Sequence, residues 1–68
     1  MKGTIEVFLD GKRKRLARGM RVRHLLGEEN VRSVEQGEVV VVEDHGYEVG
    51  LDGSLLDGMH LHLRRGAR

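Results

Sequence analysis

The residues best suited to chemistry in this chain are histidines. His60 and His62 are separated by one residue in an alternating stretch, so a strand would place both imidazoles on one face. Imidazole nitrogens ligate zinc and copper, and His24 or His45 would add a ligand if the fold brought it near. Because histidines at this spacing more often decorate the surface of a strand, we assign neither a metal nor a cofactor.

A basic patch is the second candidate site. Its members are Lys12, Arg13, Lys14, Arg15, Arg64 and Arg65, with Arg68 as a further cation. Brought together from neighbouring strands, these side chains could contact phosphates. The alternative is a solvated edge strand whose cations prevent aggregation. The chain has only one tyrosine and one phenylalanine for base stacking, so we favour the edge strand.

No group of residues in the sequence indicates a catalytic centre. The chain has no cysteine to act as a nucleophile or to ligate zinc, and Ser54 has no recognisable base and orienting partner. Its ten glycines form no phosphate-loop motif. We therefore predict that the protein is not an enzyme in its own right.

Length and composition limit the remaining possibilities. A chain of 68 residues has room for one domain, and a net charge of +1 gives no strong overall attraction to nucleic acid or membranes. The longest apolar run, Val39 to Val42, is too short to cross a bilayer, and no apolar signal-peptide core is visible. We expect a soluble cytoplasmic domain, and the high share of charged residues is compatible with a thermophilic source.

The beginning of the chain predicts a hairpin. Thr4 to Leu9 places Ile5, Val7 and Leu9 on one face and Glu6 and Phe8 on the other, which is the period of a strand. Asp10 and Gly11 suit a tight turn, and the charged stretch from Lys12 to Ala17 predicts a second strand at a sheet edge.

One short amphipathic helix is expected next. Its apolar positions are at helical spacing and comprise Val22, Leu25 and Leu26. Gly27 should cap or kink this helix, and we expect either a break there or an irregular continuation through Val31 and Val34. Val39 to Val42 then predicts a central strand that is buried on both faces.

The remaining segments predict two more strands. A turn at residues 44–46 should lead to a short strand from Tyr47 to Leu51, and a loop should then direct Leu55 and Leu56 inward. A turn at Asp57 and Gly58 precedes a final strand, residues 59–63, whose histidines point away from its aliphatic side. This order predicts an α+β fold, with one mixed sheet packed on one short helix. We place the domain at residues 1–64 and a short tail at residues 65–68.

Three features taken together resemble a known family. They are the segment from Val7 to Gly11 followed by a polar strand and Gly19 to Leu26, the Val39 to Val42 strand before Gly46, and the run Leu56-Asp57-Gly58 before an alternating last strand. In this order they resemble the sulfur-carrier branch of the ubiquitin-like β-grasp proteins, which includes the thiamine-pathway sulfur carrier and the small subunit of molybdopterin synthase. The resemblance implies a β-grasp fold.

The resemblance also implies a role for the C-terminal tail. In that family the tail ends Gly-Gly, and a partner enzyme adenylates its carboxylate before it becomes a thiocarboxylate or an isopeptide. Here the corresponding residues are Gly66, Ala67 and Arg68, so the Gly-Gly pair is missing, and bulk at Arg68 should oppose entry into a channel built for glycine. The competing interpretation of these residues is an ordinary frayed terminus.

Three functional hypotheses follow. The first is a sulfur-carrier-like protein that binds an adenylating enzyme, a sulfurtransferase or a synthase subunit through an apolar surface containing Phe8, Met59 or Leu61. The second is an RNA-binding β-grasp module, similar to the TGS domains of synthetases and GTPases, that uses the basic hairpin. The third is a structural interaction domain, such as a homodimer joined through a sheet edge.

Overall fold

The computed structural model describes residues 3–66, which form one five-stranded sheet and two short helices. The elements are β1 (Thr4–Leu9), β2 (Lys12–Ala17), α1 (Val22–Leu26), α2 (Glu28–Glu35), β3 (Val39–Glu43), β4 (Glu48–Val49) and β5 (His60–Arg65). The strands lie in the order β2-β1-β5-β3-β4, with β1 and β5 parallel and the other neighbours antiparallel. The predicted α+β architecture with a mixed sheet is confirmed at this level.

The predicted hairpin is present with its expected turn. β1 and β2 pair continuously from Leu9 opposite Lys12 to Thr4 opposite Ala17. Asp10 and Gly11 both have positive φ, at 51° and 83°. Positive φ at both central residues is typical of the two-residue turns whose twist matches a hairpin, and Asp-Gly tolerates it well.

The centre of the sheet is occupied by β5 rather than by β3. β5 lies between β1 and β3, while β3 lies between β5 and the short edge strand β4. In β3, Val41 and Val42 are buried on opposite faces, whereas Val39 and Val40 are only half-buried. The prediction of burial on both faces therefore holds for the second half of the valine run only.

Two helices replace the single predicted helix, because Gly27 ends one and begins the next. Gly27 has φ 84° and ψ 164°, a conformation that breaks the helical path and that glycine adopts without steric cost. Its carbonyl then accepts the backbone N–H of Val31 at 3.0 Å, so helical bonding resumes at once. Glu28 and Glu29 lie in the first turn of α2, where the helix dipole favours carboxylates. The predicted break at Gly27 is therefore present, whereas the alternative of an irregular continuation was wrong.

The segment after β4 leaves the sheet to bind the start of α1, which makes β4 shorter than the predicted strand. The backbone N–H groups of Val22 and Arg23 donate to the carbonyls of Gly53 and Leu51, at 3.1 and 2.9 Å. The first N–H groups of a helix lack partners within the helix, so this segment supplies them. The backbone from Leu51 onward is consequently unavailable for pairing with β3.

The last strand also differs from its predicted range. β5 extends to Arg65, with Arg64 opposite Val40 and Arg65 opposite Val39. Arg65, which we had assigned to the tail, is thus the last residue of the sheet. Pairing with β3 continues past the aliphatic residues because the ladder bonds are made by the backbone and do not require apolar side chains.

The hydrophobic core lies between one face of the sheet and the helical layer. Its buried members are Ile5, Val7, Val22, Leu25, Leu26, Val41, Leu55 and Leu61. Val31 and Val34 of α2 pack against this cluster from its border. Leu55 points inward as predicted, but Leu56 is 66% exposed, so its predicted burial was wrong.

Leu61 and Leu56 form a matched pair for testing the core. Leu61→Ala should lower the free energy of unfolding by about 2–5 kcal/mol, because it leaves a cavity at a fully buried site. Leu56→Ala should change it by less than about 0.5 kcal/mol, because its side chain is mostly in water. Urea unfolding followed by circular dichroism measures both values, and equal effects of the two substitutions would contradict this assignment of the core.

Candidate interaction surface

The sheet face opposite the helices carries a patch that we call the open face. Since side chains alternate along a strand, the neighbours of the core residues Val7, Val41 and Leu61 point to this side. By register, the open face comprises Glu6, Phe8, Arg13, Arg15, Val40, Val42, Glu48, His60, His62 and Arg64. It includes both histidines of β5, as predicted from their spacing.

A stacked ring pair lies in the middle of the open face. Phe8 of β1 is directly opposite His60 of β5, and their ring centroids are 4.4 Å apart with the planes 9° from parallel. Phe8 is half-buried and His60 is exposed. The parallel pairing of β1 and β5 thus places a stacked ring pair on the open face, where solvent reaches His60 and part of Phe8.

His62 lies between the carboxylates of two turns. Its Nε2 is 2.9 Å from Asp44 Oδ1, and its Nδ1 is 3.8 Å from Asp10 Oδ1. Because an ionised carboxylate can only accept, the Nε2–H of His62 donates to Asp44. This hydrogen bond lowers the pKa of Asp44 below its ordinary value. His62 therefore links β5 to the turn between β3 and β4, and its other ring nitrogen lies near the carboxylate of the hairpin turn.

The other two histidines have local partners. His45 Nδ1 is 3.2 Å from Glu43 Oε2, and the other oxygen of Glu43 accepts the backbone N–H groups of His45 and Tyr47. Burial raises the pKa of Glu43, but the hydrogen bonds from these two residues outweigh it, so the pKa of Glu43 is lowered. His24 Nδ1 accepts the backbone N–H of Arg21 at 2.9 Å. Within residues 3–66, histidines and carboxylates form no group that could hold a metal ion.

The basic residues lie in two places. The four cations of β2 occupy the sheet edge, where Arg13 and Arg15 approach Glu6 at 3.7 and 3.9 Å. Arg64 and Arg65 lie on β5, and β1 separates them from β2. Arg68 lies outside the described residues. Residues 12–15 and 64–65 were predicted to lie on neighbouring strands, and they do not. RNA binding stays a prediction.

Gly66 follows β5 and is held against the start of β3. Its backbone N–H donates to the carbonyl of Glu38 at 2.8 Å. A Cβ atom at this position would lie 2.5 Å from the carbonyl oxygen of Gly37, closer than side-chain atoms are found in proteins. The close approach of two backbones thus requires glycine here. The other two residues of the predicted tail site, Ala67 and Arg68, lie outside the described residues.

The three residues predicted for an apolar contact surface do not share one surface. Phe8 lies on the open face, Met59 is half-buried against the core, and Leu61 is fully buried within it. Leu61 was therefore a wrong choice for a surface, because its position in the alternation directs it toward the helices. Sequence reasoning also missed Asp10 and Asp44 as partners of His62, although both carboxylates stand in turns beside predicted strands.

Comparisons with known proteins do not identify the chain. A scan against known protein families and searches of curated proteins and solved structures found no match. Among residues 3–66, neither helix has the length and apolar character needed for a bilayer crossing. The family resemblance and its functional implications consequently stay predictions.

Gly66→Ala tests the close approach of β5 to β3. It should lower the free energy of unfolding by about 1–3 kcal/mol, because the new methyl group overlaps a backbone oxygen. Gly50→Ala is the matched control, since Gly50 has open space and no positive φ, and it should be neutral or stabilise the protein by less than about 1 kcal/mol. Urea unfolding would contradict the prediction if the two variants were equally stable.

Asp44→Asn tests the link between β5 and the β3–β4 turn. Since folding lowers the pKa of Asp44 from 3.8, the charged carboxylate stabilises the fold above that pH and loses this effect as pH falls through the folded pKa. The wild type should therefore melt higher than Asp44→Asn at about pH 5, and the difference should vanish toward about pH 2. A difference that grows during acidification would contradict this sign.

Proposed function

We propose that this protein is a ubiquitin-like β-grasp module of the sulfur-carrier type that acts by binding other proteins through its open face. The stacked pair of Phe8 and His60 is the observation that carries this proposal. The stacked rings, of which Phe8 is half-buried and His60 exposed, offer a contact area that another protein can cover. Binding rather than catalysis is thus the proposed activity, and we propose the cytoplasm as its location.

The architecture supports the β-grasp part of the proposal. The chain forms a hairpin, a helical crossover, an interior strand, a short strand and a final strand, in the order expected from the resemblance. The final strand is inserted beside the first, and the mixed sheet packs on the helical layer through a single core. These features are compatible with the family, although α2 was not part of the expected pattern.

The composition of the open face supports a protein partner. Phe8 of β1 and Val40 of β3 supply partly exposed apolar area, and His60, His62 and Arg64 supply polar groups on the strand between them. Protein interfaces commonly combine apolar area with groups that form hydrogen bonds. The proposed partners are those that the resemblance implies, namely an adenylating enzyme, a sulfurtransferase or a synthase subunit.

Titration calorimetry with these three candidate partners from the same organism tests the proposal. At least one should bind saturably, and Phe8→Ala should weaken that binding about tenfold or more, because truncating a central aromatic contact removes much of an interface's free energy. Leu56→Ala is the matched control, because Leu56 is exposed but belongs to the loop before β5 rather than to the open face. Circular dichroism establishes that both variants are folded.

Two outcomes would overturn the proposal. One is the absence of binding to all three candidates, and the other is equal weakening by Phe8→Ala and Leu56→Ala. Carrier chemistry is a separate step that binding alone does not establish. Mass spectrometry of the C-terminal peptide from the protein's own cells tests that step, since a carrier would have sulfur in place of one carboxylate oxygen or a covalent link to another protein.

A further inference from the structure

The hydrogen bonds that β1 makes on its β5 side determine which backbone N–H and C=O groups of β2 point outward. The backbone N–H of Phe8 donates to Met59 at 2.8 Å, and the carbonyl of Glu6 accepts from Gly58 at 2.7 Å. Residues along a strand bond alternately to the neighbour on either side, so Phe8 and Glu6 make no ladder bonds with β2. Their register partners, Arg13 and Arg15, therefore point their backbone N–H and C=O groups away from β1.

No strand of residues 3–66 lies beyond β2 in the sheet. The edge thus has a donor and an acceptor at Arg13 and again at Arg15, which is the pattern that an added strand uses. Lys12 and Lys14, by contrast, are paired with Leu9 and Val7, the β1 residues that bond toward β2. The alternation separates the residues that could receive a new strand from those that could not.

The charges along this edge determine which strand it accepts. Arg13 and Arg15 lie on the open face, with side chains 68% and 74% exposed, while Lys12 and Lys14 alternate to the opposite face and are exposed as well. Cations thus flank the edge on both faces, and Glu6 offsets only part of this charge. A strand with acidic residues would meet opposite charges in either register, whereas a basic strand would be repelled.

A second copy of this chain does not fit the edge well. Two β2 edges would place cations opposite cations, which destabilises cross-strand pairs. The other edge strand, β4, contains only Glu48 and Val49, so it offers few backbone bonds. Among the possible occupants, a partner with an acidic extended segment has the best complementarity.

We propose that the outer edge of β2 is a binding site for an acidic peptide segment, which docks as an additional strand through the backbone of Arg13 and Arg15. This site goes beyond the proposed function, because it uses the sheet edge and not the ring pair of the open face. The two surfaces can be tested separately, since Phe8→Ala alters the open face and leaves the edge backbone intact.

Amide hydrogen exchange, followed by NMR, tests the site with a defined probe. The probe is a short capped peptide in which glutamate and valine alternate, and its control has lysine in place of glutamate. The acidic peptide should slow exchange at the amides of Arg13 and Arg15 roughly tenfold, because each gains a hydrogen bond. The amides of Lys12 and Lys14 should change little, and the lysine peptide should have no effect.

A pair of substitutions separates backbone pairing from charge attraction. Arg15→Pro removes both the charge and the outward N–H, and an edge strand tolerates proline where the N–H faces solvent. Arg15→Ala removes the charge alone. Arg15→Pro should weaken peptide binding several-fold more than Arg15→Ala does, and equal weakening would overturn the proposal. If Arg15→Pro does not fold by circular dichroism, the exchange pattern of the wild type still decides.

Nucleic acid is the other possible ligand of these cations, and a single-stranded oligonucleotide serves as its probe. Nucleic acid would contact the cationic side chains through phosphates and would give no alternation among the four amides. Binding of the oligonucleotide together with failure of the acidic peptide to protect Arg13 and Arg15 would overturn the strand-docking proposal and assign these cations to nucleic acid. Protection of the two outward amides by the acidic peptide alone is the expected result.

Discussion

The parallel pairing of β1 with β5 joins the first and last strands of the chain in the interior of the sheet, and the open face and the outer edge of β2 depend on it. The backbone N–H groups of Phe8 and Asp10 donate to the carbonyls of Met59 and Leu61, at 2.8 and 2.9 Å. The chain between these strands must fold back to bring them together, and closing so long a segment costs conformational entropy. The apolar residues that meet on closure, with Leu61 at their centre, offset that cost.

Side chains of β5 point alternately to the two faces of the sheet, so the strand has a different role on each face. On one face, Leu61 fills the core between β1 and β3. On the other, His60 stacks on Phe8 and His62 reaches the carboxylates of Asp10 and Asp44. One strand therefore stabilises the core and also organises the open face. The edge of β2 lies farther out, where pairing with β1 leaves half of its backbone groups pointing outward.

The strands and turns of the hairpin were predictable because the signals that specify them are local. Ile5, Val7 and Leu9 recur at every second position, and the turn at Asp10 and Gly11 has the positive φ angles that its residue types favour. The alternation of the last strand likewise placed His60 and His62 on one face. A strand's alternation and a turn's residue types involve only residues that are close together in the chain. Both can therefore be recognised in the sequence alone.

The errors arose where a distant segment decides the outcome. Nothing near Leu51 indicates that its carbonyl bonds to α1, so the end of β4 was misplaced. Glycine at position 66 was interpreted through the family's tail, whereas the carbonyl of Gly37 accounts for it. The basic residues of β2 and β5 were expected to be neighbours, but the position of β1 between them is a property of the whole sheet. Sheet order is set by packing and not by local pattern, so single-sequence reasoning cannot fix it.

The measurement that tests this account most directly is NMR detection of scalar couplings across hydrogen bonds in the folded protein. The parallel pairing predicts couplings from the Phe8 amide nitrogen to the Met59 carbonyl carbon and from the Asp10 nitrogen to the Leu61 carbonyl carbon. Observing both would place β5 beside β1 and support the open face and the edge that follow from it. Absence of both couplings, with fast amide exchange at Phe8 and Asp10, would contradict the sheet order and the surfaces inferred from it.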